Sequence, residues 1–139
     1  MGNESGMKII LDTHVLIWSQ EAPKKIGPEA SKLLLHEDND LLLCSISTLE
    51  ISRLIASKKI AIKGSLERWI EKVKKSLDLE SISLDDKIAE NAYLLPEPFH
   101  NDPADRILVA AAQVCGAVIM TADEKILSYR FIQSVDVRK

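Results

Sequence analysis

The chain has 139 residues, 46% of them hydrophobic and 28% charged, with a formal net charge of −3. Such a length suits one domain around one hydrophobic core, and the composition excludes a disordered chain, a fibrous repeat and a disulfide scaffold. The slightly acidic balance gives no overall basic footprint, so any affinity for nucleic acid has to come from a local site.

No apolar run approaches the roughly 18 residues of a spanning helix, so a cytoplasmic location without a membrane role is expected. The opening stretch, residues 1–6, is polar and Gly-rich and reads as an expression remnant, leaving one domain over 7–139. Cys44 and Cys115 lie in apolar stretches without a His or Cys at metal-ligand spacing, which favours buried, reduced thiols.

Met7 to Leu11 forms a short apolar strand with Asp12 at its C-terminal end, and Thr13 to Trp18 turns into a helix. Pro28-Glu29-Ala30 opens a second helix that carries Leu33, Leu34 and Leu35 inward. Leu41 to Cys44 is a further buried strand, after which Ser45 or Ser47 caps a helix. Its apolar face is Ile51, Leu54 and Ile55, with Glu50 beside it.

Gly64-Ser65 interrupts the pattern, and Leu66, Trp69, Ile70 and Val73 form the stripe of another helix, with Arg68, Lys72, Lys74 and Lys75 opposite. Asp85-Asp86 starts a helix ended by Pro96 and Pro98. Beyond Pro103, the segment from Ala104 to Ala112 is apolar almost all round, a central buried helix with Asp105 in its first turn and Gly116 at its close. Ala117 to Met120 is again strand-like, and Asp123 follows as loop or cap.

Strands that read as continuous apolar runs alternating with helices imply a three-layer α/β/α sandwich around a central parallel sheet. Ligands of such sheets bind beyond the carboxyl ends of the strands, the edge that receives Asp12 and Asp123. Asp105 at a nearby helix start joins them, with Glu50 as a fourth acid. Carboxylates gathered in this way repel one another and raise some pKa values unless a divalent cation neutralises them, and an all-oxygen donor set suits Mg²⁺ or Mn²⁺ over zinc.

Taken singly, each acid also has a structural reading, as a helix cap, a partner of a helix dipole or a solvated surface residue. Rival phosphate chemistries fit less well. A haloacid-dehalogenase-type phosphatase needs a second Asp where His14 stands, a response-regulator receiver needs a late Lys where Met120-Thr121 stands, and no P-loop or Rossmann fingerprint is present. His14, His36 and His100 offer an acid–base route to RNA cleavage but show no partner pattern.

Four segments carry a resemblance. Ile10-Leu11-Asp12-Thr13-His14-Val15-Leu16-Ile17-Trp18, Thr48-Leu49-Glu50-Ile51, Asp102-Pro103-Ala104-Asp105-Arg106 running on to Ala112, and Met120-Thr121-Ala122-Asp123 together resemble the PIN-domain family, particularly its VapC-like toxin branch. The resemblance spans nearly the whole chain from Met7, in the family's order and approximate spacing.

It implies a PIN fold, Mg²⁺- or Mn²⁺-dependent cleavage of RNA, a small antitoxin as partner and a homodimer. Asp12, Glu50, Asp105 and Asp123 match the acidic metal-binding quartet. On that reading the three aspartates hold the principal ion, and Glu50 adds a ligand or orients the attacking water. Thr13 and Thr121 match hydroxyl positions that support the site, and Asp102 either adds to it or shapes the turn before Pro103.

Arg53 and Arg106 are candidate phosphate contacts, whereas lysine-rich helix faces are more often merely solvated. A partner helix is expected in an apolar groove of the early helices, where Trp18 or Trp69 either stands exposed or packs in the core. Two other functions use the same residues: a catalytically silent PIN-like binding or assembly module, and a metal-dependent phosphoesterase or DNA nuclease.

Overall fold

A computed structural model describes residues 6–139. Apart from Gly6, the segment read as an expression remnant lies outside the described residues. Five parallel strands, β1 (Lys8–Leu11), β2 (Asp40–Cys44), β3 (Glu80–Ile82), β4 (Val118–Thr121) and β5 (Ser134–Asp136), form one sheet in the order β3-β2-β1-β4-β5.

Seven α-helices connect them: α1 (Thr13–Glu21), α2 (Pro28–Leu35), α3 (Ser45–Ala56), α4 (Leu66–Leu77), α5 (Asp86–Ala92), α6 (Pro103–Cys115) and α7 (Glu124–Leu127). Between a charged first residue in β1 and β2 and the closing Thr121 of β4, the central strands are continuous apolar runs because both faces are covered. Ile10, Leu42 and Ile119 point into one core with α5 and α6, while Ile9, Leu11, Leu41, Leu43 and Met120 point into the other with α1 and α4. The expected α/β/α sandwich is thus present.

The strand order reverses between β1 and β4, and a parallel sheet opens a crevice at such a switch point, beyond the carboxyl ends of the strands. Asp12 follows β1 and Asp123 follows β4, so both acids stand at that crevice. The Asp12 amide donates to the Met120 carbonyl at 3.0 Å, continuing the ladder one residue past β1.

Local chemistry sets the helix ends. The Ser65 hydroxyl accepts from the Arg68 amide and the Asp85 carboxylate from the Ile88 amide, each capping its helix. Gly116 ends α6 at φ +67, a left-handed conformation that costs glycine little. Gly27 is needed for space, because a Cβ there would overlap the Lys139 carbonyl, against which the C-terminal segment packs.

Several local expectations are corrected. Neither Ser45 nor Ser47 caps α3: the Ser45 hydroxyl instead accepts from the Leu84 amide at 2.9 Å, and the Ser47 hydroxyl is buried without a partner. Leu35, in the last turn of α2, is 81% exposed, since three consecutive leucines cannot all share one helix face. Helix α5 ends at Ala92, short of Pro96, with Tyr93 already outside helical geometry. Edge strands β3 and β5 were not expected; each has three residues and little apolar signal.

Candidate active site

A cleft of about 360 Å³ opens at the switch point, and Asp12, Glu50, Asp102, Asp105 and Asp123 all line it. Asp12 is the most firmly placed. Its Oδ1 accepts from the Thr13 amide at 2.6 Å and its Oδ2 from the Thr121 hydroxyl at 2.5 Å. The same Thr121 oxygen accepts from the Asp123 amide at 3.0 Å, so one buried hydroxyl ties together the two strand tips. Thr13 contributes through its backbone N–H and is itself buried.

Asp123 caps α7, its Oδ1 accepting from the Lys125 amide at 2.8 Å. Asp105 lies in the first turn of α6, with Oδ2 3.0 Å from His100 Nε2. The ring nitrogen makes no directed hydrogen bond, so the contact is short but misaligned. Glu50 is held differently, by Arg53 one turn along α3, with Nη2 3.1 Å from Oε1 and Nε 3.3 Å from Oε2.

Electrostatics couple the acids. Burial and then the charges of Asp123, Asp12 and Asp102 push the Asp105 carboxyl up to about 7, and a hydrogen bond with Asp102 adds to the rise. Burial also raises Asp12, opposed by its hydrogen bonds from Thr121 and Thr13 and by His14. The cleft therefore holds more negative charge than its own groups compensate.

A hard divalent cation suits an all-oxygen donor set in that condition. Among the described residues no three His, Cys, Asp or Glu side chains converge on one ion-sized point as they lie. Asp12, Asp123 and Glu50 are each turned onto a partner of their own, so the fit to a cation lies in charge and donor type.

The two arginines part company. Arg53 is exposed and lines the cleft. Arg106 is 4% exposed, and the expectation that it touches phosphate is corrected. Its guanidinium donates to the carbonyls of His100 (2.8 Å), Ala92 (3.2 Å) and Phe99 (2.8 Å), holding the segment between α5 and α6. Three of the five guanidinium N–H donors are thus committed to backbone carbonyls, and the side chain is buried away from the cleft, whose walls do not include it.

Trp69 packs in the core and donates to Glu21 at 2.9 Å, whereas half-buried Trp18 lines the cleft beside His14. Two polar cleft residues, His14 and Ser47, and His100, which touches Asp105 from outside the cleft, were not expected as part of the acid site. His14 directly follows the Asp12-Thr13 pair and was open to selection on that ground; His100 and Ser47 depend on tertiary placement.

The PIN domain family profile matches residues 9–132. The chain belongs to the PIN-domain family. Within the PIN family it is 28% identical over 129 residues to "Ribonuclease VapC22" of Mycobacterium tuberculosis (strain ATCC 25618 / H37Rv), covering 93% of this chain and 97% of that relative.

Two solved structures share the fold. VapBC2 from Rickettsia felis, bound to a DNA fragment from its promoter, superposes with a TM-score of 0.65 at 18% identity over 93% of this chain and 98% of that one. DNA-bound VapBC from Salmonella typhimurium gives 0.63 at 20% identity, over 94% and 98%. These PIN-fold likenesses concern architecture. No helix among the described residues is long and apolar enough to cross a membrane.

Proposed function

We propose that this PIN-domain protein is a divalent-metal-dependent endoribonuclease, the toxin of a toxin–antitoxin pair acting in the cytoplasm. The observation that carries the reading is the coupled group Asp12, Asp105 and Asp123 at the switch point, with Asp105 pushed up to about 7 by burial and its acidic neighbours. The name of the mycobacterial relative supports RNA as substrate, and a structural neighbour described as a toxin-antitoxin complex from Klebsiella pneumoniae supports a small antitoxin as partner. A homodimer is part of the same proposal.

Asp12, Asp105 and Asp123 are assigned to hold Mg²⁺ or Mn²⁺, with Glu50 adding a ligand or orienting the attacking water. When bound, such an ion neutralises the acids, lowers the pKa of water and polarises a phosphate. Thr13 and Thr121 fix the Asp12 carboxylate, and Thr121 also fixes the Asp123 backbone. Asp102 stands at the N-cap position of α6 without a side-chain capping bond and adds negative charge beside Asp105. Arg53, exposed at the rim of the cleft, is placed to meet a phosphate while steadying Glu50.

Hydrolysis by water leaves 5′-phosphate and 3′-hydroxyl ends, whereas the histidine acid–base route passes through a 2′,3′-cyclic phosphate. The test is cleavage of a labelled RNA panel with and without Mg²⁺ or Mn²⁺, beside single- and double-stranded DNA and small phosphoesters. Metal-dependent cutting of RNA that Asp12→Asn abolishes is the expected result. No cutting by folded, antitoxin-free protein under any metal condition returns the chain to a binding or assembly role.

A further inference from the structure

A second concavity, of about 530 Å³, lies on the α7 side of the catalytic cleft, between the segment before α6 and the loop after α7. Phe99, His100, Lys125, Ser128, Tyr129 and Arg130 line it, with no acidic side chain among its walls. His100 joins the two spaces, since its Nε2 is 3.0 Å from Asp105 on the other side. Lys125 joins them too, because its amide donates to Asp123 Oδ1 at 2.8 Å.

The walls combine stacking surface with free positive charge. The Phe99 ring lies 4.6 Å from that of Tyr129 and 4.6 Å from that of His100. Phe99 keeps a half-buried face, and Tyr129 is anchored by its hydroxyl, which donates to the Pro96 carbonyl at 2.6 Å. Arg130 is laid over Phe131 at 4.9 Å. Neither Lys125 nor Arg130 enters an ion pair among the described residues. In a chain of net charge −3, a concavity free of acids and bearing two unpaired cations is a local reversal of sign.

We propose that this concavity is a nucleotide subsite for unpaired RNA, taking one nucleobase beside the scissile phosphate against Phe99 and a phosphate between Lys125 and Arg130. The inference rests on the ribonuclease reading for its substrate. Aromatic faces accept any base by stacking, and cations track the backbone, which is how single strands are held without a sequence code. A duplex keeps its bases stacked inside and has none to offer. The subsite therefore selects unpaired segments and positions the phosphate at the acids next door.

The test measures binding apart from cleavage. Fluorescence anisotropy of a labelled oligouridine octamer is read in Mg²⁺ with Asp12→Asn protein, alone and combined with Lys125→Ala/Arg130→Ala or with Ser128→Trp, which fills the concavity from an exposed position. Circular dichroism and melting establish that each variant is folded. The expected result is at least about a tenfold rise in Kd for both variants. For the double alanine variant, the slope of log Kd against log salt also flattens by about 1.4, two phosphate contacts' worth on a single strand.

Unchanged affinity and slope in both folded variants overturn the proposal, as does equal binding of a blunt RNA duplex by the parent protein. Lost self-association with intact RNA affinity also overturns it and gives the face to a second copy of the chain. Failure of the otherwise wild-type protein to cut RNA, with octamer binding still weakened by both variants, keeps the subsite and rejects the nuclease reading instead.

Discussion

The acids of the cleft are held in two different ways. Asp12 and Asp123 stand at strand tips, where a sheet ladder, two backbone amides and the buried Thr121 hydroxyl define their positions. Glu50 stands on a helix flank, where its only hydrogen-bond partner among the described residues is the exposed Arg53. Groups fixed by buried hydrogen bonds are preorganised, while an exposed ion pair is weak and exchanges readily. The strand-tip acids thus form the invariable part of the site, and Glu50 an adjustable arm.

The strongest way to break that contrast is Asp12→Asn, which removes a charge at the fixed end. It is expected to lower metal-dependent RNA cleavage more than about a hundredfold, and single-turnover rates at saturating Mn²⁺ measure it. Residual activity within a few fold of wild type would remove Asp12 from the ion's ligands.

Thr121→Val tests the fixing itself, because it keeps the shape and deletes the hydroxyl shared by the two tips. A loss of about 10- to 100-fold in activity or metal affinity is expected, as for other groups that orient a ligand. Isothermal titration with Mn²⁺ separates the two, and unaltered affinity and rate would make the hydroxyl merely structural.

Asp105 supplies a pH signature. Its carboxyl is raised in the folded protein, from an ordinary 3.8 to about 7, so between these values the folded state retains a proton that the unfolded chain releases. Stability of the metal-free protein accordingly falls as pH rises through that window and levels off above it. Asp105→Asn removes the penalty and stabilises the metal-free protein at pH 8 by on the order of 2 kcal/mol. Thermal melts in EDTA from pH 5 to 8 check this, and parallel curves for variant and wild type would contradict it.

The smallest effect belongs to the adjustable arm. Arg53→Ala frees Glu50 and removes a rim cation, and cleavage is expected to fall only about two- to fivefold. The change should sit mainly in KM and shrink at high salt. A loss as large as that of Asp12→Asn would erase the distinction between the two kinds of acid.

Much of this architecture was readable because buried parallel strands are written as continuous apolar runs. The runs at Ile9–Leu11, Leu41–Cys44 and Val118–Met120 needed no tertiary information, and an Asp at or just beyond two of them marked the functional edge. Strands β3 and β5 escaped because Glu80–Ile82 and Ser134–Asp136 are short and line the sheet's borders, where only one neighbour and one half-buried face constrain residue choice.

Arg106 shows the same limit in a side chain. It sits beside Asp105 in the segment that resembles the family, which suggested a ligand contact. Its burial follows from carbonyls at Ala92, Phe99 and His100 that the 92–100 segment presents to the guanidinium.

By itself, then, the sequence determined the alternation of elements and, through its periodicity and its resemblance, pointed to four acids that the fold brings to one cleft, since periodicity and residue type are local properties. Tertiary structure alone decided the strand order, Thr121 as the link between Asp12 and Asp123, the rise of the Asp105 carboxyl and the burial of Arg106. Each of these depends on which distant groups meet in a medium of low dielectric, where a hydrogen bond or an uncompensated charge acquires its weight.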